Sequence, residues 1–214
     1  MSGDTWIFGY GSLVSPTSMA TSIGRTVAAE KVAIAHLDGY GRRWNYGSMH
    51  LRGAWHHEGV DVSDGLVVSL GLVVADTETC NGVIVRVTSD ELAQLDWRER
   101  DYQRTDVTDL IRLDDDQRDH RRDRQRVERV MTYVPRPSAI ERYEAARDRA
   151  QAAIRLSYRD LVSAAFSDLG SDHLARYGAT PPPDVPRRRH DALDAQLTSV
   201  AGGSASSCSQ SAST

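Results

Sequence analysis

NGVIVRVTSDELAQLDWRERDY, residues 81 to 102, contains the change of pattern on which the fold turns. It opens as a β-branched apolar run, Val83 to Val87, and at Thr88 becomes a helix. Thr88 followed three residues later by Glu91 is a capping box, in which each side chain accepts a hydrogen bond from the other's backbone N–H; Leu92 and Leu95 then supply an apolar stripe. A strand running straight into a helix predicts a mixed α+β fold. Glu99 continues the spacing of Leu92 and Leu95, so a helix that reaches it carries a carboxylate on its apolar face. Burial disfavours the charged form and lifts a carboxyl above its ordinary pKa of about 4.3, which suits it to acid and base work near neutral pH. An ion pair of Glu99 with Arg98, Arg100 or Arg104 at a frayed helix end fits the same residues.

Upstream, SLGLVVA (69 to 75) reads as a second strand, divided from NGVIVRV by the polar connection ADTETCN. KVAIAHL (31 to 37) and GRRWNYGSM (41 to 49) read as a strand and its continuation. Downstream, RTDVTDLIRL (104 to 113) and RVERVMTYV (126 to 134) form a strand pair around DDDQRDHRRDRQ, a solvated charged hairpin tip. Residues 138 to 170 are rich in Ala, Leu, Arg and Glu with no internal Pro or Gly, which predicts one or two helices ending at Gly170. Pro181-Pro182-Pro183 then closes the ordered region, and the Ser/Ala-rich end cannot bury enough apolar area to order itself. The expected organisation is one domain over residues 1–178 and a tail over 179–214.

At the N-terminal end, TWIFGYGSL (5 to 13) is a strand that breaks into a glycine-spaced loop. Gly9 and Gly11 mean either positive φ or close approach of the backbone to something. A dinucleotide loop would need a third glycine where Val14 stands, a P-loop would need a lysine, and a nucleophile elbow would need glycines at 10 and 14 around Ser12. What remains is a short loop with exposed amides and no activated nucleophile.

Composition narrows the class. The chain has 214 residues, 40% hydrophobic and 26% charged, with a formal net charge of −4, and a nucleic-acid binder would show a clustered basic excess. No apolar run reaches the roughly 18 residues that span a bilayer, and MSGDTW lacks the regions of a signal peptide. A cytoplasmic protein with no nucleic-acid or membrane partner is expected. Cys80 and Cys208 make neither a disulfide framework nor a zinc site. His56 and His57, adjacent in an extended segment beside Glu58, point to opposite faces, so no metal site is expected.

FGYGSL (8 to 13), GYGRRW (39 to 44), CNGVIVRV leading into LDWRERDYQRTDV, and TYVPRP (132 to 137), in that order, resemble the gamma-glutamylcyclotransferase superfamily, with its ChaC-like branch the nearest in flavour. The resemblance runs over about residues 5 to 177. It implies a small mixed β-barrel flanked by helices, a substrate loop at Gly9, Tyr10, Gly11, Ser12 and Leu13, and Glu99 as general acid and base. The family's later substrate-contacting tyrosine matches Tyr143 best, with Tyr133 and Tyr158 competing for the place. Arg43, or its neighbour Arg42, stands where a guanidinium would meet a substrate carboxylate; a surface arginine plus a structural ion pair is the alternative. The implied reaction converts the γ-glutamyl group of glutathione, or of another γ-glutamyl amine or dipeptide, to 5-oxoproline without a cofactor. A non-catalytic ligand-binding module, or an enzyme trimming a γ-glutamyl protecting group, fits the same motifs. Val14-Ser15 stands where the branch has an Ile-Trp-like pair, and no glycine follows Glu99, which leaves the substrate open. Nothing in the sequence fixes an oligomeric state.

Overall fold

In the computed structural model, which describes residues 5–28, 31–57, 59–114, 127–185 and 187–188, the first strand lies in the middle of the sheet. β1 (Thr5–Gly9) pairs antiparallel with β3 (Val60–Val87) and parallel with β6 (Arg129–Pro135). Trp6, Ile7 and Phe8 are all fully buried, which explains three large apolar residues in a row: a central strand covered on both faces needs no alternation. Beyond β3 comes β2 (Val32–His57), and beyond β6 comes β4 (Tyr102–Asp106). β5 (Ile111–Leu113) closes the order β4-β6-β1-β3-β2-β5. Among the described residues this path does not close on itself, so the expected barrel is here an open, mixed sheet flanked by helices.

β2 and β3 form one long ribbon whose register shifts four times. The polar stretch ADTETCN, expected to separate two strands, lies inside β3. Leu37 pairs with Cys80 and Asp38 with Thr79 across the ribbon, and the Thr79 hydroxyl donates to Asp38 Oδ1 at 2.7 Å. The register shifts between Asp38 and Tyr40, where Gly39 takes φ +79°. A neighbouring strand supplied the ladder that polarity had argued against.

Among the described residues five α-helices accompany the sheet. α1 (Pro16–Ile23), absent from the sequence expectation, has plain signals: Ser15 as N-cap, Pro16 in the first turn, and Gly24 at φ +72° as C-cap. α2 (Ser89–Arg98) starts with the expected box, the Thr88 N–H donating to Glu91 Oε2 at 2.9 Å and the Glu91 N–H to Thr88 Oγ1 at 3.3 Å. The predicted helical region 138 to 170 is instead α3 (Pro137–Asp148), a buried strand β7 (Ala152–Arg155) parallel to Leu66–Val68, and α4 (Leu156–Asp168). Ala150, at φ 57°, turns the chain out of α3. Ala152 and Ala153 favour helix intrinsically, and pairing with β3 overrides that weak preference.

Gly170 does end that region, and α5 (Ser171–Gly178) follows. Packing continues past Gly178: Val185 is buried, and β8 (Arg187–Arg188) pairs with β7. β4 and β6 pair antiparallel, but the strand expected over 104–113 breaks at a 3-10 turn, Thr108–Leu110, and its end, β5, pairs with β2 instead; most of the charged segment that follows, 115–126, lies outside the described residues, as does the tail from 189. No described helix is long and apolar enough to cross a membrane.

Candidate functional site

One pocket joins the glycine loop to the end of α2. It is lined by Phe8, Gly9, Tyr10, Gly11, Ser12 and Leu13 on one side, and by Glu99, Tyr102, Tyr133 and Tyr158 on the other. The loop leaves β1 and enters a single 3-10 turn, Ser12–Val14, closed by the Val14 N–H donating to the Gly11 carbonyl at 3.0 Å. Ser12 and Leu13 open that turn, so their N–H groups have no partner within it.

The two glycines answer to space and not to φ. Neither is among the described residues with positive φ. A Cβ on Gly9 would lie 2.9 Å from Leu13 Cβ and 3.1 Å from the Leu13 carbonyl, so the loop can fold back over β1 only without a side chain there. A Cβ on Gly11 would lie 3.0 Å from the Tyr158 hydroxyl, inside the pocket.

Glu99 is the C-cap of α2. Its N–H donates to the Leu95 carbonyl at 2.8 Å, and its carbonyl accepts from the Tyr102 N–H at 2.7 Å, forming a tight turn into β4. Its side chain is 14% exposed, with Oε1 3.2 Å from Arg98 Nε. Burial pushes the Glu99 carboxyl above its ordinary value, and the Arg98 charge offsets part of that. Both readings of the sequence therefore describe the same residue: it is buried, and it is paired with Arg98. Arg104 is bound to Asp96 instead, and Arg100 stacks on the Trp97 ring.

Four tyrosines wall the pocket and differ in what their hydroxyls do. Tyr10 donates to the Tyr133 carbonyl at 2.7 Å, Tyr102 to the Leu70 carbonyl at 3.0 Å, and Tyr133 to Asp96 Oδ1 at 2.9 Å. The Tyr158 hydroxyl accepts from the Leu70 N–H at 3.5 Å. Burial raises the pKa of all four, and for Tyr10, Tyr102, Tyr133 and Tyr158 the Glu99 charge adds to it. They stay protonated donors at any physiological pH.

Tyr143 and Arg43 stand outside this pocket. Tyr143 lies on α3, buried, with the Arg147 guanidinium 5.5 Å from its ring centre. Arg43 forms a two-pronged ion pair with Glu78. Alternation along β2 sends Arg42 the other way, into the body. There its Nε donates to the Tyr10 carbonyl at 2.9 Å and its Nη2 to Asn81, beneath the rings of Phe166 and Tyr177. Arg42 thus grips the loop from behind. Tyr102 is a member that sequence reading passed over, and Arg98 was read only as an ion-pair partner of Glu99, not as a contact of Ser12. Both flank Glu99 within three residues, but which way they point depends on where α2 stops.

The histidine pair expected to bind no metal lies elsewhere. His56 Nδ1 is 2.7 Å from Asp61 Oδ1 on the exposed end of the ribbon, and the His57 and Glu58 side chains fall outside the described residues. No cluster of metal-binding side chains occurs among the described residues.

The family described as ChaC-like protein matches residues 5–160. The chain belongs to the ChaC-like family. No curated protein sequence matches this ChaC-like chain. Solved structures resemble it at a distance. One titled gamma-glutamyl cyclotransferase is 11% identical over 92% of this chain and 99% of its own, with a TM-score of 0.48. A gamma-glutamyl cyclotransferase specific to glutathione, from yeast, is 13% identical over 94% and 97%, with a TM-score of 0.47. A solution structure from Arabidopsis thaliana is 23% identical over 66% of each chain, with a TM-score of 0.39.

Proposed function

We propose that this ChaC-like pocket cyclises a γ-glutamyl group, releasing 5-oxoproline and the amine to which the group was joined, with Glu99 moving the proton. The observation that carries the reading is Glu99 itself: a carboxyl buried enough to be raised in pKa, facing a glycine loop across a pocket walled by tyrosine. The reaction is intramolecular. The substrate's α-amine gives a proton to Glu99 and attacks its own γ-carbonyl, and the new C–N bond closes a five-membered ring. As the tetrahedral intermediate collapses, the old C–N bond breaks and the departing nitrogen takes the proton back from Glu99. No covalent enzyme intermediate is required, which suits a loop whose Ser12 has no base activating it. Ser12 Oγ accepts from Arg98 Nη2 at 2.9 Å and serves as a contact.

The developing oxyanion needs donors fixed in place before the reaction. The amides of Ser12 and Leu13 and the hydroxyl of Tyr158 are the candidates, and Tyr158 takes the substrate-contacting place that the family resemblance had put at Tyr143. The test is direct. Purified protein is incubated with glutathione and a set of γ-glutamyl dipeptides and amines, and 5-oxoproline is measured. Product from wild type, reduced at least about a hundredfold in Glu99→Gln, supports the reading. Ligand-dependent stabilisation across the set with no product would point to a binding module instead.

A further inference from the structure

Cyclisation itself asks nothing of Arg98, yet its guanidinium occupies the rim of the pocket. Nε lies against Glu99 at 3.2 Å, Nη2 donates to Ser12 Oγ at 2.9 Å and reaches Ser18 Oγ at 3.4 Å, and Nη1 donates to Ser22 Oγ. Ser12 belongs to the pocket. Ser18 and Ser22 belong to a second depression beside it, the groove between α1 and α2, whose lining also includes Thr17, Gln94 and Trp97. Arg98 therefore sits where the two meet.

Burial gives the pocket a direction. Phe8, Tyr10, Leu13, Tyr102 and Tyr133 are buried, whereas Ser12 and Glu99 are partly exposed. A γ-glutamyl substrate has two halves, and the reacting half must lie inside, against Glu99. Its other half then leaves past Ser12 and Glu99 and meets the groove. No acidic residue lines that groove among the described residues; it offers hydroxyls, one amide, the Arg98 cation, the apolar Ala93 and Leu161, and the Trp97 ring, which is 73% exposed under the Arg100 guanidinium. When Glu99 accepts the substrate's proton, Arg98 faces only hydroxyls. A cation ringed by small hydroxyls is a receptor for a carboxylate.

We propose that the groove between α1 and α2 holds the leaving half of the substrate and that Arg98 binds a carboxylate on it, selecting γ-glutamyl amino acids and peptides over plain γ-glutamyl amines. This rests on the cyclisation reading of the pocket. The bound carboxylate replaces the serine contacts on Arg98, and Trp97 covers the chain that carries it.

The experiment compares γ-glutamylglycine with γ-glutamylmethylamine, which differ by that carboxylate. Wild type is expected to favour the glycine compound by about tenfold or more in kcat/KM, mostly through KM, and Arg98→Leu and Arg98→Gln to bring the ratio near one. If Arg98 only holds the loop, both substrates fall together and the ratio survives, which overturns the proposal. The same contrast is read without turnover by calorimetry with glutarylglycine and glutarylmethylamine, which lack the α-amine and cannot cyclise. Tighter binding of the carboxylate compound by wild type, lost in both variants, supports the subsite even if no 5-oxoproline forms and the cyclisation reading fails. Equal binding of the two compounds by wild type rules the subsite out, whether or not the variants fold.

Discussion

At the scale of single residues, the proposed chemistry rests on where α2 ends. Glu99 is the C-cap, one residue past the last helical position Arg98, with its side chain 14% exposed. Its raised pKa has two consequences of opposite sign. As a base it must be ionised, so kcat/KM should rise with pH through an inflection above the ordinary glutamate value of about 4.3. For stability, a carboxyl raised by folding favours the protonated state. Its contribution is complete below the unfolded pKa and is lost as pH rises through the folded one. Glu99→Gln should therefore melt at or above wild type at about pH 8, with the gap closing near pH 4, while product formation collapses. Melting curves at both pH values check it, and a glutamine variant that is much less stable at the higher pH contradicts it. Tyr158 gives a second contrast. Tyr158→Phe should lower turnover roughly tenfold at a stability cost near 1 kcal/mol, whereas Tyr143→Phe, outside the pocket, should leave turnover intact.

At the scale of elements, α1 and α2 are joined by Arg98, which reaches Ser18 and Ser22, and at the opposite end of α2 by one carboxylate. Glu91 closes the capping box on Thr88 and also takes a two-pronged pair from Arg25, just beyond the end of α1. That link fixes the groove over which Arg98 reaches. The Arg25 guanidinium holds the Glu91 carboxyl below its ordinary range, with burial opposing. Its stabilisation is thus complete above the unfolded value of about 4.3 and disappears as pH falls through the lower folded pKa. Glu91→Gln should cost about 1 to 2 kcal/mol at pH 7 by chemical denaturation, and the two unfolding curves should converge below about pH 4.

The same elements show what a sequence discloses. α2 was legible because its signals are local: a cap, a partner three residues on, and a stripe. β7 and the middle of β3 were not, because Ala152, Ala153 and, within ADTETCN, Thr79, Cys80 and Asn81 are strand only by virtue of a neighbour's ladder. Gly9 and Gly11 marked the loop correctly as one needing glycine, but the reason, contact with Leu13 and Tyr158, depends on residues the loop meets only after folding. That Tyr133 and Tyr158 but not Tyr143 line the pocket, and that Arg42 rather than Arg43 holds the loop, were undecidable for the same reason.

At the scale of the whole molecule, the site exists because two lengths agree. Thr5 pairs with Val87 at one end of β1 and Gly9 with Val83 at the other. The chain leaves β3 at Val87 and returns as α2. Ten helical residues span about 15 Å, and the five residues of β1 span about 17 Å. The end of α2 therefore comes level with the loop that follows β1, and Glu99 faces Gly9–Leu13 although some ninety residues separate them. Arg42 locks that arrangement from the other side. It joins β2 to the Tyr10 carbonyl, to Asn81 in β3, and to Phe166 and Tyr177 on the helices behind, with only 4% of its surface exposed. Its charge is met by carbonyl oxygens and ring faces. Arg42→Met keeps the length and apolar stem but leaves the Tyr10 and Asn81 carbonyls without their donor, which should cost about 3 kcal/mol in denaturant unfolding. Arg42→Lys should recover only part of this, since an ammonium cannot reach both carbonyls and stack on two rings. Because the loop is what Arg42 holds, 5-oxoproline formation by either variant should fall at temperatures where the protein remains folded. A methionine variant with wild-type turnover would mean that the Tyr10 carbonyl needs no anchor, and that the long ribbon alone sets the loop against Glu99.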